Sequence, residues 1–109
     1  VYAIELVWFT TSTTNGGVKV DLDGGTATAT AFRGLWERID ASTGTVTTQV
    51  SAIATDSAAT TNINALRFTG AIIVNAPGTF VPRLAQNASH GDTTTYLKGS
   101  WGRLTRIAD

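Results

Sequence analysis

Apolar and polar residues alternate along several short segments of the chain, which is the pattern of half-buried β-strands. Residues 2–9 show this alternation clearly. One face of this segment carries large side chains, namely Tyr2, Ile4, Leu6 and Trp8. The opposite face ends in Val7 and Phe9, which are also apolar. We therefore expect the far end of this first strand to be covered on both sides.

The same reasoning predicts further strands along the rest of the chain. They cover residues 18–22, 26–32 continuing through 35–39, 45–54, 63–74, 79–86, 93–97 and 101–107. In residues 63–74 one predicted face consists of Leu66, Phe68, Gly70, Ile72 and Val74. The strand over residues 79–86 has Phe80 and Leu84 as candidate core residues and contains Pro82. Proline cannot donate to a sheet ladder, so this strand is predicted to be an edge strand or to be bulged.

Short polar and glycine-containing segments separate the predicted strands. A hairpin turn is expected at residues 42–44 and a loop at residues 56–61, while Ala76-Pro77-Gly78 forms a corner. Seven or eight short strands separated by frequent turn signals are typical of a β-sandwich or barrel. No segment has the 3.6-residue period of an amphipathic helix, so the predicted fold class is all-β.

Length and composition place this fold in a single small domain spanning residues 1–109. The chain has 109 residues, of which twenty are threonine, and only 15% are charged. Eight basic residues balance eight acidic ones, so no net field attracts nucleic acid or an anionic membrane. No apolar run approaches the roughly 20 residues of a membrane-spanning helix. We expect neither nucleic acid nor membrane among the partners.

The residue types that support catalysis or metal binding are scarce. The chain has no cysteine and one histidine, His90, which excludes thiol chemistry and histidine-rich zinc sites. Ser89 and Asp92 flank His90 in sequence, but adjacent loop residues rarely orient as a triad, so an exposed loop histidine is expected. Asp21 and Asp23 lack the further ligands of a calcium loop. No catalytic residue, metal or cofactor is predicted.

Aromatic residues and arginines provide the candidate contact surfaces. Exposed tryptophan or tyrosine can stack on sugars, whereas the alternative is that these rings serve the core or a subunit interface. Apolar neighbours on their strands favour burial of Trp8 and Trp101, while Trp36 is available for exposure between Leu35 and Glu37. Arginines on the last strands are suited to ion pairs across an interface. The candidate ligand or interface residues are Trp36, Tyr96, Arg83 and Arg103.

Two stretches of the sequence carry a resemblance to a known family. The first comprises FTGAIIV at residues 68–74 and APGTFVPRLAQN at residues 76–87, and the second comprises LKGSW at residues 97–101 and RLTRI at residues 103–107. Together they resemble the C-terminal domain of structural proteins from the virions of tailed bacteriophages, which ends in a "KGS-aromatic" turn and a last strand. The opening YAIEL at residues 2–6 is similar to an early strand of that family.

The resemblance implies a fold and a role. The implied fold is an antiparallel, jelly-roll-like β-sandwich similar to the heads of tumour necrosis factor and C1q. In this fold Gly99 permits a tight turn and Trp101 fills the base of the sandwich. A strand that usually precedes YAIEL in the family is missing, so the domain is expected to lack an N-terminal strand.

The family commonly assembles as trimers and carries no catalytic residues. The resemblance therefore implies a non-enzymatic structural component at the virion surface, in a tail, a fibre or a capsid decoration. Its expected partners are further copies of itself and other virion proteins. The alternative function is a carbohydrate-binding or receptor-binding module, for which a host cell-surface glycan would be the ligand.

Overall fold

The computed structural model describes residues 1–12, 15–23, 25–40, 44–55, 57–59 and 63–109, and within these ranges all regular structure is β. The strands are β1 (Tyr2–Thr11), β2 (Val18–Asp23), β3 (Thr28–Asp40), β4 (Gly44–Val50), β5 (Ser57–Ala59), β6 (Ile63–Ala76), β7 (Val81–Ala85), β8 (Thr95–Tyr96) and β9 (Trp101–Arg106). Threonine and other β-branched residues recur in these strands because they fit a pleated surface. The described residues contain no helix long and apolar enough to span a membrane.

The strands form two antiparallel sheets. The larger sheet has the order β4-β3-β6-β1, followed by β8 and β9, which both pair with β1. The smaller sheet has the order β5-β2-β7. The chain crosses between the sheets at most connections, and β3–β4 is a hairpin within one sheet. These observations confirm the all-β, antiparallel sandwich predicted from the sequence.

The core lies between the inner faces of the two sheets. It contains Ile4, Leu6 and Trp8 of the first strand together with residues of β2, β3, β4 and β6, while Tyr2 is partly buried against it. Aromatic rings lie at its centre: the centroid of Trp36 is 5.5 Å from that of Trp8 and 5.0 Å from that of Phe68. The buried apolar residues are Ile4, Leu6, Trp8, Val18, Val20, Leu22, Phe32, Trp36, Val50, Ile63, Leu66, Phe68 and Ile72. Phe80 and Leu84 are partly buried against this core.

The smaller sheet tests two predictions. The strand that contains Pro82 is β7, which among the described strands pairs with β2 alone, so its assignment as an edge strand is confirmed. The predicted loop at residues 56–61 is wrong for residues 57–59, because they form β5 and pair with Val18–Val20 of β2. The rest of that segment, and positions 42 and 43 of the predicted hairpin turn, lie outside the described residues.

One edge of β1 pairs with β9 along residues 2–7 and then with β8 at Thr10 and Thr11. Between them the chain turns at Gly99, whose φ is +93°, so the predicted requirement for glycine in this turn is confirmed. The Ser100 hydroxyl accepts a hydrogen bond from the Phe9 N–H at 3.0 Å and donates one to the Leu97 carbonyl at 2.9 Å. The Ser100 side chain thus supplies the hydrogen-bond partner of a backbone N–H of β1 at the point where the pairing of β1 with β9 and β8 is interrupted.

Candidate functional site

Trp36 is a core residue and not a surface residue. It is 1% exposed, since it lies on the inner face of β3 between Trp8 and Phe68. Its interpretation as a candidate for contact with a ligand or subunit is therefore wrong. The two neighbours named in the sequence argument, Leu35 and Glu37, lie on the other face of the strand.

Trp101 shows the reverse outcome. Its expected burial is wrong, because it is 48% exposed. Trp101 lies directly opposite Val7 on the edge strand β9, and directly opposite residues of a sheet share one face. Since Val7 belongs to the outer face of β1, Trp101 points away from the core. It does not fill the base of the sandwich.

Tyr96 combines a packed ring with an exposed edge. Its ring meets Trp8 edge-on, with centroids 5.3 Å apart and an interplanar angle of 80°. The residue is 43% exposed, so one part of the ring remains accessible. Desolvation by burial raises the pKa of Tyr96 to about 12, which keeps its phenol neutral. Tyr96 therefore contributes an apolar surface with a neutral hydroxyl group.

Arg83 is held by two carboxylates on the neighbouring strand. Its Nε donates to Asp21 Oδ1 at 2.7 Å, its Nη2 also binds Asp21, and its Nη1 lies 2.7 Å from Asp23 Oδ2. Asp21 is 5% exposed and lies directly opposite Arg83 in the β2–β7 pairing. The two aspartates considered above for a calcium loop thus bind a guanidinium group. This arrangement stabilises the edge of the smaller sheet.

Arg103 lies on the outer face of the larger sheet and binds Glu5. Its Nε donates to Glu5 Oε2 at 2.9 Å, and its Nη2 binds the same oxygen. The Arg103 side chain is 65% exposed, so the pair lies in solvent at the side of the sheet. Arg103 and Trp101 are two positions apart on β9 and share this face. The structure therefore brings one predicted candidate, Arg103, beside Trp101, while Arg83 lies in the other sheet.

The strand register assembles an apolar surface that the sequence argument identified only at one end of β1. Phe9 pairs with Ala65, which in turn pairs with Ile39, and Val7 pairs with Trp101 in the adjacent row. We call these five residues the outer patch. Phe9 is 41% exposed, and Ile39 and Trp101 are each 48% exposed. The expectation that both sides of Phe9 are covered is wrong for the single chain.

Ile39 and Ala65 are the two members of the outer patch that the sequence argument did not single out. The strand of Ile39, β3, alternates polar and apolar residues, and this signal alone does not reveal which face is solvated. Ile39 reaches the patch because β6 lies between β3 and β1 and aligns Ala65 with both neighbours. Only the pairing of distant strands shows that these side chains form one surface.

The titratable residues of the described chain do not gather into a metal site. His90 Nδ1 accepts a hydrogen bond from the Asp92 N–H at 3.2 Å and lies 3.2 Å from Asp92 Oδ2. This contact is confined to one exposed loop. Within the described ranges, no three His, Cys, Asp or Glu residues are grouped as metal ligands.

Comparisons with protein-family models, with curated proteins and with solved structures gave no match for this chain. The functional argument consequently depends on the geometry of the outer patch and of the strand edges.

Proposed function

We propose that this chain is a non-enzymatic structural domain that self-associates through its outer patch. The observation that carries the proposal is the exposure of Phe9, Ile39 and Trp101 on one continuous sheet face. Large apolar patches on a small protein mark interaction surfaces, because leaving them in water costs free energy. Packing this face against other copies would cover all three side chains.

The size of the outer face suits such an interface. Five strands at a spacing of about 4.8 Å span roughly 20 Å, and the ten residues of β1 extend about 33 Å. The whole face, of which the outer patch occupies one end, thus offers roughly 700 Å², which is close to what one partner contributes to a protein–protein interface of standard size. Glu5 and Arg103 at its side supply the polar rim that such interfaces usually have.

The resemblance to virion proteins of tailed bacteriophages gives this self-association a biological setting. We propose a trimer on the surface of the particle, within a tail, a fibre or a capsid decoration, in contact with other virion proteins. The motifs at residues 68–87 and 97–107 support this setting, and the apolar outer patch supports the self-association.

Native mass spectrometry of the 109-residue chain at micromolar concentration tests the proposal. Trimers or multiples of three are expected for the wild-type chain. Ile39→Lys should dissociate them, because it places a charge in the outer patch without disturbing the core. Val81→Lys is the matched control, since Val81 is 43% exposed on β7 of the other sheet and should leave the assembly unchanged. A monomeric wild-type chain, or equal effects of both variants, would contradict the proposal.

A carbohydrate-binding role is the second candidate, and Trp101 is the residue that favours it. An exposed indole beside the Arg103–Glu5 pair offers a stacking surface next to charged hydrogen-bonding groups. Glycan-array binding that is lost in Trp101→Ala but kept in Trp36→Phe, a variant of a buried ring, would support this role. An array without binding would remove it.

A further inference from the structure

Strand β9 leaves one of its two edges open. It pairs with β1 along residues Trp101–Arg106, and no other strand of the described chain pairs with it. All six of its residues are exposed. An open edge presents unpaired backbone N–H and C=O groups, which can template the addition of another strand.

The pairing with β1 shows which backbone groups face this open edge. The Ile107 N–H donates to the Val1 carbonyl at 2.9 Å, in register with the β1–β9 ladder. Hydrogen-bonded and non-bonded pairs alternate in an antiparallel ladder. Trp101, Arg103 and Thr105 therefore bond to β1, whereas Gly102, Leu104 and Arg106 direct their N–H and C=O groups away from it.

We infer that the open edge of β9 pairs antiparallel with β9 of a second copy, about a two-fold axis at Leu104. This inference rests on the proposed function as a self-associating domain and adds a second contact to it. In this register Leu104 lies opposite Leu104 of the second copy, and Gly102 lies opposite Arg106. Every outward backbone group of these three residues then has a partner.

The same register brings exposed apolar side chains together. Trp101, which is 48% exposed, lies opposite Ile107 of the second copy, which is 58% exposed. At the axis the two copies of Leu104, each 54% exposed, lie side by side. Directly opposite apolar residues on neighbouring strands stabilise a sheet. One pairing thus covers three of the most exposed apolar side chains of the chain.

Charge selects this register over its neighbours. With the axis at Leu104, Arg103 lies opposite Thr105 of the second copy, so no like charges face each other directly. A slip that moves the axis to Arg103 places the two arginines opposite each other, which is destabilising. A slip in the opposite direction places Leu104 opposite Arg106 of the second copy, so the exposed apolar side chains no longer lie opposite one another. A slip that places outward-facing backbone groups of one copy opposite inward-facing groups of the other loses the hydrogen bonds between the two strands.

A residue on a two-fold axis meets its own copy, which allows a charge-complementation experiment. Leu104→Lys and Leu104→Glu should each weaken the affinity of edge pairing at least about tenfold, because each places like charges at the axis. With both variants also carrying Ile39→Lys, so that the outer patch cannot associate, an equimolar mixture with one variant labelled with ¹⁵N should restore a dimer that contains one copy of each. Native mass spectrometry would show this pair by its intermediate mass. Failure of the mixture to associate would overturn the inference.

Single cysteines test the register, since the chain has no cysteine of its own. In the inferred pairing the two Leu104 Cα atoms are about 5.5 Å apart, which a disulfide can span. The two Ile107 Cα atoms are then about 20 Å apart, given six residues at about 3.3 Å each. Mild oxidation should cross-link Leu104→Cys and leave the exposed control Ile107→Cys monomeric on non-reducing gels. Equal cross-linking of both variants would overturn the register.

The oligomeric states of the wild type and two variants distinguish the outer-patch contact from the β9 edge contact. If the outer patch and the β9 edge both operate, the wild-type chain forms hexamers, Leu104→Lys forms trimers and Ile39→Lys forms dimers. If only the outer patch operates, the wild type and Leu104→Lys are both trimers, and the edge inference is overturned. If only the edge operates, the wild type and Ile39→Lys are both dimers, and the outer-patch proposal is overturned.

Discussion

The ring of Phe68 lies directly against Gly34 of the neighbouring strand, so closely that a Cβ on Gly34 would be 2.0 Å from Phe68 Cζ. Gly70, opposite Gly34 in the β3–β6 pairing, leaves similar room, since a Cβ there would be 2.8 Å from the same ring. Phe68 is fully buried and stacks on Phe32 with centroids 5.9 Å apart. The two glycines therefore create the space in which the central aromatic ring of the core lies.

Gly34→Ala should destabilise the protein because the new methyl group has no room beside Phe68. We expect a loss of about 1–3 kcal/mol in the free energy of unfolding, as is typical of overpacked cores. Urea denaturation followed by tryptophan fluorescence measures it. Gly91→Ala is the control, since no atom lies within 4 Å of the position that its Cβ would take. A loss for Gly34→Ala no larger than that for Gly91→Ala would contradict the packing argument.

The alternation along β1 and β6 predicted their inner residues, but alternation did not predict which tryptophan is buried. Trp36 and Trp101 both lie on strands with mixed neighbours. Trp36 is buried because β3 has a neighbour on each side and faces the smaller sheet. Trp101 is exposed because its side chain lies on the outer face of an edge strand. Strand order, which periodicity does not encode, decides between the two outcomes.

The candidate site was less predictable than the fold for the same reason. Arg83 and Asp21 are 62 positions apart, yet the β2–β7 register places them directly opposite each other. Ile39 and Phe9 likewise reach one surface through β6. Pro82 was informative in the sequence because proline lacks the N–H that a ladder hydrogen bond needs. This restricts its strand to an edge or a bulge, whatever the neighbouring strands are.

Removal of the Arg83 guanidinium should destabilise the smaller sheet. Arg83→Met leaves the buried Asp21 carboxylate without these donors, and we expect a loss of about 1–3 kcal/mol. Arg103→Met, which removes the exposed pair with Glu5, should cost less than about 1 kcal/mol. Urea midpoints of the two variants at pH 7 make the comparison. Equal losses would show that burial of Asp21 does not distinguish the two ion pairs.

Ser100→Ala should loosen the junction between β8 and β9. The variant loses the acceptor for the Phe9 N–H and the donor to the Leu97 carbonyl, and we expect a loss of about 0.5–1.5 kcal/mol. Faster amide exchange at Phe9 is the local readout, measured by NMR. Ser89→Ala is a suitable control, because no hydrogen bond of the Ser89 hydroxyl is found in the described part of the chain. Unchanged exchange at Phe9 would argue against this role of Ser100.

Tyr96 should make the protein less stable in alkaline solution. Desolvation by burial raises its pKa to about 12 in the folded chain, from its ordinary value of 10.0. The folded state therefore retains the phenolic proton over a range in which the unfolded chain has lost it. The contribution of Tyr96 is fully present below about pH 10 and is lost as the pH rises from about 10 to about 12.

Tyr96→Phe isolates this effect, because phenylalanine has no proton to lose and keeps the edge-on contact with Trp8. Urea midpoints of both proteins at pH 8, 10 and 11 should diverge only above about pH 10, where the wild type loses stability faster. Other groups that titrate in this range act on both proteins alike, so they cancel in the comparison. Parallel midpoints across the range would mean that the Tyr96 phenol ionises equally well in both states, and that its packing against Trp8 leaves the hydroxyl group fully solvated.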